Sequence, residues 1–198
     1  MKRSLALLLM ASLVSVGAAQ KVIVKSGNFK ELKGENEVDL EFTYDNMRVG
    51  KYDEADYVAK KKTEYNDKEP GRGEKFEQSW VADRATRFEP KFEELFNDAG
   101  PIKGFRGTEA AKYVLVVHTS FTEPGYNIGI SKMPASINAD VSLKEKASGN
   151  VVGVLMMNGV PGSQYGGYDY DSGTRLAESY AKLAKEIRKW MVKNVFGQ

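Results

Sequence analysis

From Val38 to Tyr44 the chain reads VDLEFTY, with Val38, Leu40, Phe42 and Tyr44 on one side of an extended backbone and Asp39, Glu41 and Thr43 on the other. That alternation predicts a half-buried strand. A β-branched run, Lys21 to Lys25, precedes it, and the turn-forming Lys33-Gly34-Glu35-Asn36 between them predicts a hairpin. Tyr113 to Phe121, YVLVVHTSF, is apolar on both faces over its first half, the pattern of a central strand covered on both sides. Ser136 to Lys146 alternates again, with Ile137, Ala139, Val141 and Leu143 inward. Ser148-Gly149-Asn150 turns the chain, and Val151 to Met157 returns as a second arm.

Elsewhere the period lengthens to that of a helix. Asp53 to Asn66 carries Ala55, Val58, Ala59 and Lys62 at helical spacing, and Pro70-Gly71-Arg72-Gly73 interrupts it. From Glu74 to Asp98, Phe76, Trp80, Phe88, Phe92, Leu95 and Phe96 form one stripe with Arg84 as its polar interruption. Pro90 lies inside that stripe and predicts a kink near Phe88-Glu89. The last helix spans Gly173 to Val195, with Leu176, Tyr180, Leu183, Ile187, Trp190, Met191 and Val195 on its apolar face. Arg175, Glu178, Lys182, Lys185, Lys189 and Lys193 fill the remaining positions, and Asp171 or Ser172 is placed to cap its first turn. The order β-β-α-α-β-β-β-α predicts a single α+β domain: a mixed or antiparallel sheet of about five strands with helices packed on it.

The first nineteen residues read differently from the rest. Lys2 and Arg3 precede an apolar stretch from Leu5 to Val16, and Gly17-Ala18-Ala19 offers small residues for cleavage before Gln20. This is the pattern of a signal peptide, too short for a membrane span, so the expected product is residues 20–198, exported to the periplasm or secreted, without a transmembrane anchor. Losing Lys2 and Arg3 leaves 27 basic residues against 27 acidic ones. A neutral chain lacks the global positive charge that drives phosphate neutralisation, which argues against nucleic acid as a partner. Cysteine is absent, so neither a disulfide nor a lipid-bearing cysteine is available.

The chemistry-bearing motifs are few. Asn158 to Gly173, NGVPGSQYGGYDYDSG, puts a glycine-rich stretch before the last helix, but Tyr168 stands where a phosphate loop needs lysine. Asp169-Tyr170-Asp171-Ser172-Gly173 resembles the start of a calcium loop, yet Tyr180 occupies the position that would need a closing glutamate. His118, the single histidine, shares a strand face with Val114, Val116 and Ser120. One histidine and no cysteine leave no expected metal site or cofactor. Lys60-Lys61-Lys62 reads as a solvated helix face. What remains is aromatic: Tyr165, Tyr168 and Tyr170, with Asp169 among them, and Tyr126 in the 122–135 connection. Tyrosines on glycine-rich backbone bring contact area with few rotors to freeze, so these five are the candidate binding residues.

The stretch from Lys112 to Trp190 joins a lone strand KYVLVVHTSF, a hairpin INADVSLKEKASGNVVGVLMM, a glycine-rich loop and an amphipathic helix RLAESYAKLAKEIRKW. In that order it resembles bacterial envelope modules of the TolB amino-terminal, CsgG and LpoB type. The resemblance implies a non-catalytic protein that binds partners or assembles. The function expected is capture of a protein or cell-wall component through the Tyr/Gly-rich loops. Two alternatives stand beside it: a small-ligand binder or hydrolase using His118, and a structural assembly subunit.

Overall fold

The computed structural model describes residues 21–127, 130–163 and 172–197. The chain is α+β, as the residue pattern predicts. Its strands are β1 (Ile23–Gly27), β2 (Glu37–Thr43), β3 (Arg48–Val49), β4 (Tyr52–Asp53), β5 (Lys103–Phe105), β6 (Tyr113–Glu123), β7 (Tyr126–Asn127), β8 (Lys132–Met133), β9 (Ser136–Glu145) and β10 (Val151–Pro161). Its helices are α1 (Glu54–Asn66), α2 (Arg72–Asp83), α3 (Glu89–Asn97) and α4 (Ser172–Met191).

One mixed sheet runs β1-β10-β9-β6-β2-β5, and β3 pairs with β6 and β4 beside it, eight strands in all. The count exceeds five because β3, β4 and β5 are two or three residues long, too short to show a period. β2 runs parallel to both β5 and β6, whereas β6, β9, β10 and β1 alternate in direction. The hairpin expected between β1 and β2 does not form. β1 adds to β10, with Ile23 opposite Met156, while β2 lies on the far side of β6. The connection between them buries Phe29 and Leu32 completely, and that burial carries the chain across the sheet where the Gly34 turn alone would have folded it back.

The helices cover one face only. Val38, Leu40, Leu115, Val117, Ile137, Val141, Leu143, Leu155 and Met157 point into that layer and are buried. The opposite face, expected to be covered as well, carries partly exposed Glu41, Thr43, Val116, His118, Asp140 and Ser142. Among the described residues the 106–112 connection reaches over it, where Gly107 and Thr108 donate backbone N–H groups to Asp39 and Lys146 pairs with the same carboxylate at 2.9 Å.

The long aromatic stripe is two helices. Pro90 has no N–H to offer the carbonyl of Thr86 and its ring crowds that oxygen. The turn widens in response: Arg84 to Phe88 is π-helical, closed by the Glu89 N–H on the Arg84 carbonyl, and α3 starts with Pro90 in its first turn. α4 docks along the sheet through Leu176, Tyr180, Leu183, Ile187 and Met191, all buried, and ends in a second π-turn, Val192–Phe196. Arg175, assigned by its charge to the solvated side, is 2% exposed and belongs to the buried side. β10 also runs on to Pro161, so Asn158 to Pro161 are strand and not loop. Gly162 and Ser163 are then held on the start of α4, because a Cβ at Gly162 would come within 2.2 Å of the Arg175 carbonyl and Ser163 N–H bonds that same oxygen at 3.2 Å.

Replacing Leu183 by alanine empties a fully buried position and is expected to cost about 2–5 kcal/mol. Lys185→Ala, on the exposed side of the same helix, should stay within about 0.5 kcal/mol. Urea denaturation of the two variants against the parent protein reads the difference, and equal losses would show that α4 is not docked as described.

Candidate functional site

Where β3, the end of β6 and the start of α4 meet, the helical layer does not close. A cavity of about 490 Å³ opens there. One wall is α1, through Tyr57, Lys61 and Tyr65, backed by Phe76 of α2. A second is the β3–β4 turn, Gly50 to Tyr52. The third is the chain leaving β6, Glu123 to Tyr126, together with Met133, and the floor near α4 is formed by Ser172 and Arg175.

Each wall is fixed by an identifiable interaction. α1 is anchored at its first residue: Glu54 accepts a hydrogen bond from the Trp80 indole at 2.6 Å and pairs with Arg84. Arg84, the polar interruption of the stripe, is therefore satisfied inside it, and its guanidinium also lies 4.3 Å above the Tyr44 ring. Tyr65 packs on Phe76 with ring centroids 5.1 Å apart, and Phe76 is 5.9 Å from Trp80, so aromatic contacts continue from the cavity wall into the core. The β3–β4 turn is tied to β6 by Gly50 N–H on the Thr122 carbonyl at 2.9 Å.

The third wall depends on Gly125 and Arg175. Gly125 has φ +66°, and a Cβ there would lie 2.6 Å from the Met133 carbonyl, so both backbone shape and space demand glycine. Its N–H is accepted by Glu123 Oε1 at 3.0 Å. Arg175 donates from Nε to the Pro124 carbonyl and from Nη2 to the Gly125 carbonyl, each at 3.2 Å. Its remaining nitrogen, Nη1, is buried without a partner among the described residues.

Beneath this site, Tyr180 of α4 joins α4, β6 and the π-turn. Its ring stacks on Phe88 at 4.9 Å and its hydroxyl lies 2.8 Å from Thr119 Oγ1. Burial pushes the Tyr180 phenol well above its ordinary range, against the pull of its bonds to Thr119 and Tyr44. Tyr44 is raised further, first by burial and then by Tyr180 and Glu89, with Arg84 opposing. Both phenols stay protonated through the physiological range.

Of the sequence-predicted residues, Tyr126 lines the cavity from β7, its hydroxyl 3.2 Å from Ser131 Oγ. Tyr165, Tyr168, Asp169 and Tyr170 lie outside the described residues, as does Asp171, one of the two expected caps. His118 is not at the cavity; it faces the uncovered side of the sheet with Nδ1 3.0 Å from Thr43 Oγ1. The lysine run divides: Lys60 and Lys62 pair with Glu64 and Glu77, while Lys61 pairs with Glu64 and also lines the cavity. Tyr52, Tyr57, Tyr65, Phe76 and Arg175 were not singled out from the sequence as site residues. For Arg175 a signal existed: it stands four residues before Ser179 and eight before Leu183, on a buried line of the helix. Among the described residues no group of three or more His, Asp or Glu could hold a metal ion, and no helix is long and apolar enough to cross a membrane.

No protein-family model matches the chain, and no curated protein sequence does. Similar solved structures include the PelC dodecamer from Paraburkholderia phytofirmans, at 13% identity over 83% of this chain and 96% of that one, with a TM-score of 0.41. A Xanthomonas campestris protein of the DUF330 family is similar at 12% identity over 79% of this chain and 83% of that one, with a TM-score of 0.40. A homolog of a neuraminyllactose-binding hemagglutinin from Helicobacter pylori reaches 13% identity over 86% and 90%, with a TM-score of 0.34. None of these three bears the name of the TolB, CsgG or LpoB modules. At identities and TM-scores this low, no property of theirs transfers to this chain.

Because both phenols titrate above the free value of 10.0 when folded, the stability they contribute is complete below that pH and is lost as pH rises beyond it. Urea midpoints taken between pH 8 and about 11.5 should hold steady to roughly pH 10 and then fall. In the Tyr44→Phe/Tyr180→Phe double variant the alkaline fall should flatten. An unchanged slope would place these hydroxyls in water.

Proposed function

We propose that this chain is an exported, non-catalytic binding protein of the cell envelope, and that the aromatic cavity with its flanking Tyr/Gly-rich connections is the recognition surface. The observation that carries the reading is where the cavity lies. It is bounded by Tyr126 and Met133 from the 122–135 connection and by Ser172, the residue at which the 158–173 stretch enters α4. Both connections singled out for their tyrosines therefore arrive at one opening, already walled by Tyr52, Tyr57 and Tyr65. Concave sites lined by aromatic side chains with a few placed polar groups are the usual form of a ligand or anchor pocket. The reading is non-catalytic because the single histidine is bonded to Thr43 on the sheet face away from the helices. Export rests on the Lys2–Ala19 leader pattern.

Photo-crosslinking in intact cells tests the proposal. A photoreactive phenylalanine analogue placed at position 126 or 168 should capture the same envelope partner, and the analogue at position 185, on the solvent side of α4, should not. Deleting residues 164–170 should abolish the product from position 126 while leaving the thermal midpoint within a few degrees. Equal capture from positions 126 and 185, or none from either loop, would overturn the assignment.

A further inference from the structure

The cavity walls carry a chemical preference that follows from Arg175. This side chain is 2% exposed, and two of its three nitrogens are spent on the Pro124 and Gly125 carbonyls. Nη1 is buried and has no acceptor among the described residues, although the residue lines the cavity. A guanidinium cannot shed its proton to relieve that state, and a buried cationic donor left unmatched is costly. Buried arginines gain most from an acceptor that carries charge.

Charge around the opening points the same way. Among the described residues, Lys51 and Lys61 line it together with Arg175, against one acid, Glu123, whose Oε1 is already engaged by the Gly125 N–H. Lys51 has no ion-pair partner among the described residues, and Lys61 shares Glu64 with Lys60. Five other lining residues, Tyr52, Tyr57, Tyr65, Phe76 and Tyr126, are aromatic. An adjoining depression of about 180 Å³ shares Tyr65 and Phe76 with the cavity and adds Arg72 and Lys75, which continues the pairing of rings with cations.

We propose that the cavity binds a carboxylate borne on a ring-shaped ligand, with Arg175 Nη1 as its fixed anchor, Lys51 and Lys61 as its cationic rim, and Tyr57, Tyr65 and Tyr126 as the surfaces on which the ring rests. One unmatched guanidinium nitrogen suits a carboxylate oxygen. A phosphate would need a cluster of converging donors, and among the described residues the only lining glycines, Gly50 and Gly125, are too far apart in the chain to form a nest of successive N–H groups. The assignment deepens the binding function proposed above by naming the ligand chemistry of the same site.

Calorimetric titration of the full chain with D-glucuronate and with benzoate tests it, using D-glucose and benzamide as neutral counterparts and inorganic phosphate as competitor. Both acids should bind saturably, and each neutral counterpart roughly tenfold or more weaker. Whichever acid binds tighter identifies the ring as saccharide or aromatic, and either preference supports the site. Arg175→Lys should weaken both acids about tenfold or more. Because Arg175 also clamps the Pro124-Gly125 turn, Lys61→Gln serves as the variant that leaves the fold intact. It should weaken binding roughly two- to fivefold at low salt, with the difference vanishing at high salt. Glucose binding as well as glucuronate, phosphate displacing both acids at equal concentration, or no acid binding at all would overturn the assignment. Crosslinks from position 126 that persist while both acids fail leave the partner-binding function standing and remove only the ligand. Acid binding without crosslinks does the reverse.

Discussion

The arrangement depends on Tyr180. It is a large side chain with almost no exposure, and it touches three layers of the structure at once. Its ring lies flat on Phe88 of the π-turn, its hydroxyl meets Thr119 of β6, and its backbone belongs to α4. An apolar residue there would fill the space but leave Thr119, which is fully buried, without its partner. The widened turn caused by Pro90 belongs to the same junction, since it contains both Phe88, the stacking partner, and Arg84, which reaches Glu54 and fixes α1. The cavity is therefore shaped from behind. Its aromatic wall stands on α1, α1 is tied to Arg84, and Arg84 lies in the turn on which Tyr180 packs.

How much of this is legible along the chain varies with how local the cause is. β2, β6, β9, β10 and α4 all appear where their periodicity puts them, because each buries a face whose spacing is written in consecutive residues. The kink at Pro90 is legible for the same reason: a missing N–H acts within one turn. Pairing is not local. Lys33-Gly34 looks like a hairpin turn, but burial of Phe29 and Leu32 against distant residues decides where β1 goes. Covering of the sheet is not local either, and the apolar first half of β6 did not foretell that helices would occupy a single face.

The site was harder to read than the fold, and Arg175 shows why. Assigning charged residues to the solvated side of a helix is correct for Lys182, Lys185 and Lys189, and wrong for the one cation whose spacing follows Ser179 and Leu183 inward. Tyr57 and Tyr65 give no signal along the chain, because α1 has no fully buried residue and so no pronounced stripe. Their role comes from Phe76 and Trp80 behind them, which only the folded chain brings near. Tyr126 was legible as a tyrosine beside glycine, and Gly125 turned out to matter as much, through its positive φ and its hold on Arg175.

The pairing of β1 with β10 has a consequence for how the polypeptide acquires its shape. Ile23 waits for Met156, so β1, made before every other described strand, has no neighbour until nearly all of them exist. Contacts spanning so much sequence bring a large loop-closure entropy and form late. The inner strands can assemble around β6 beforehand, which makes the amino-terminal strand a last addition at the sheet's rim. Ile23 and Val24 stay exposed even after that addition, so β1 is held at the rim chiefly by its backbone pairing with β10 and little by apolar burial.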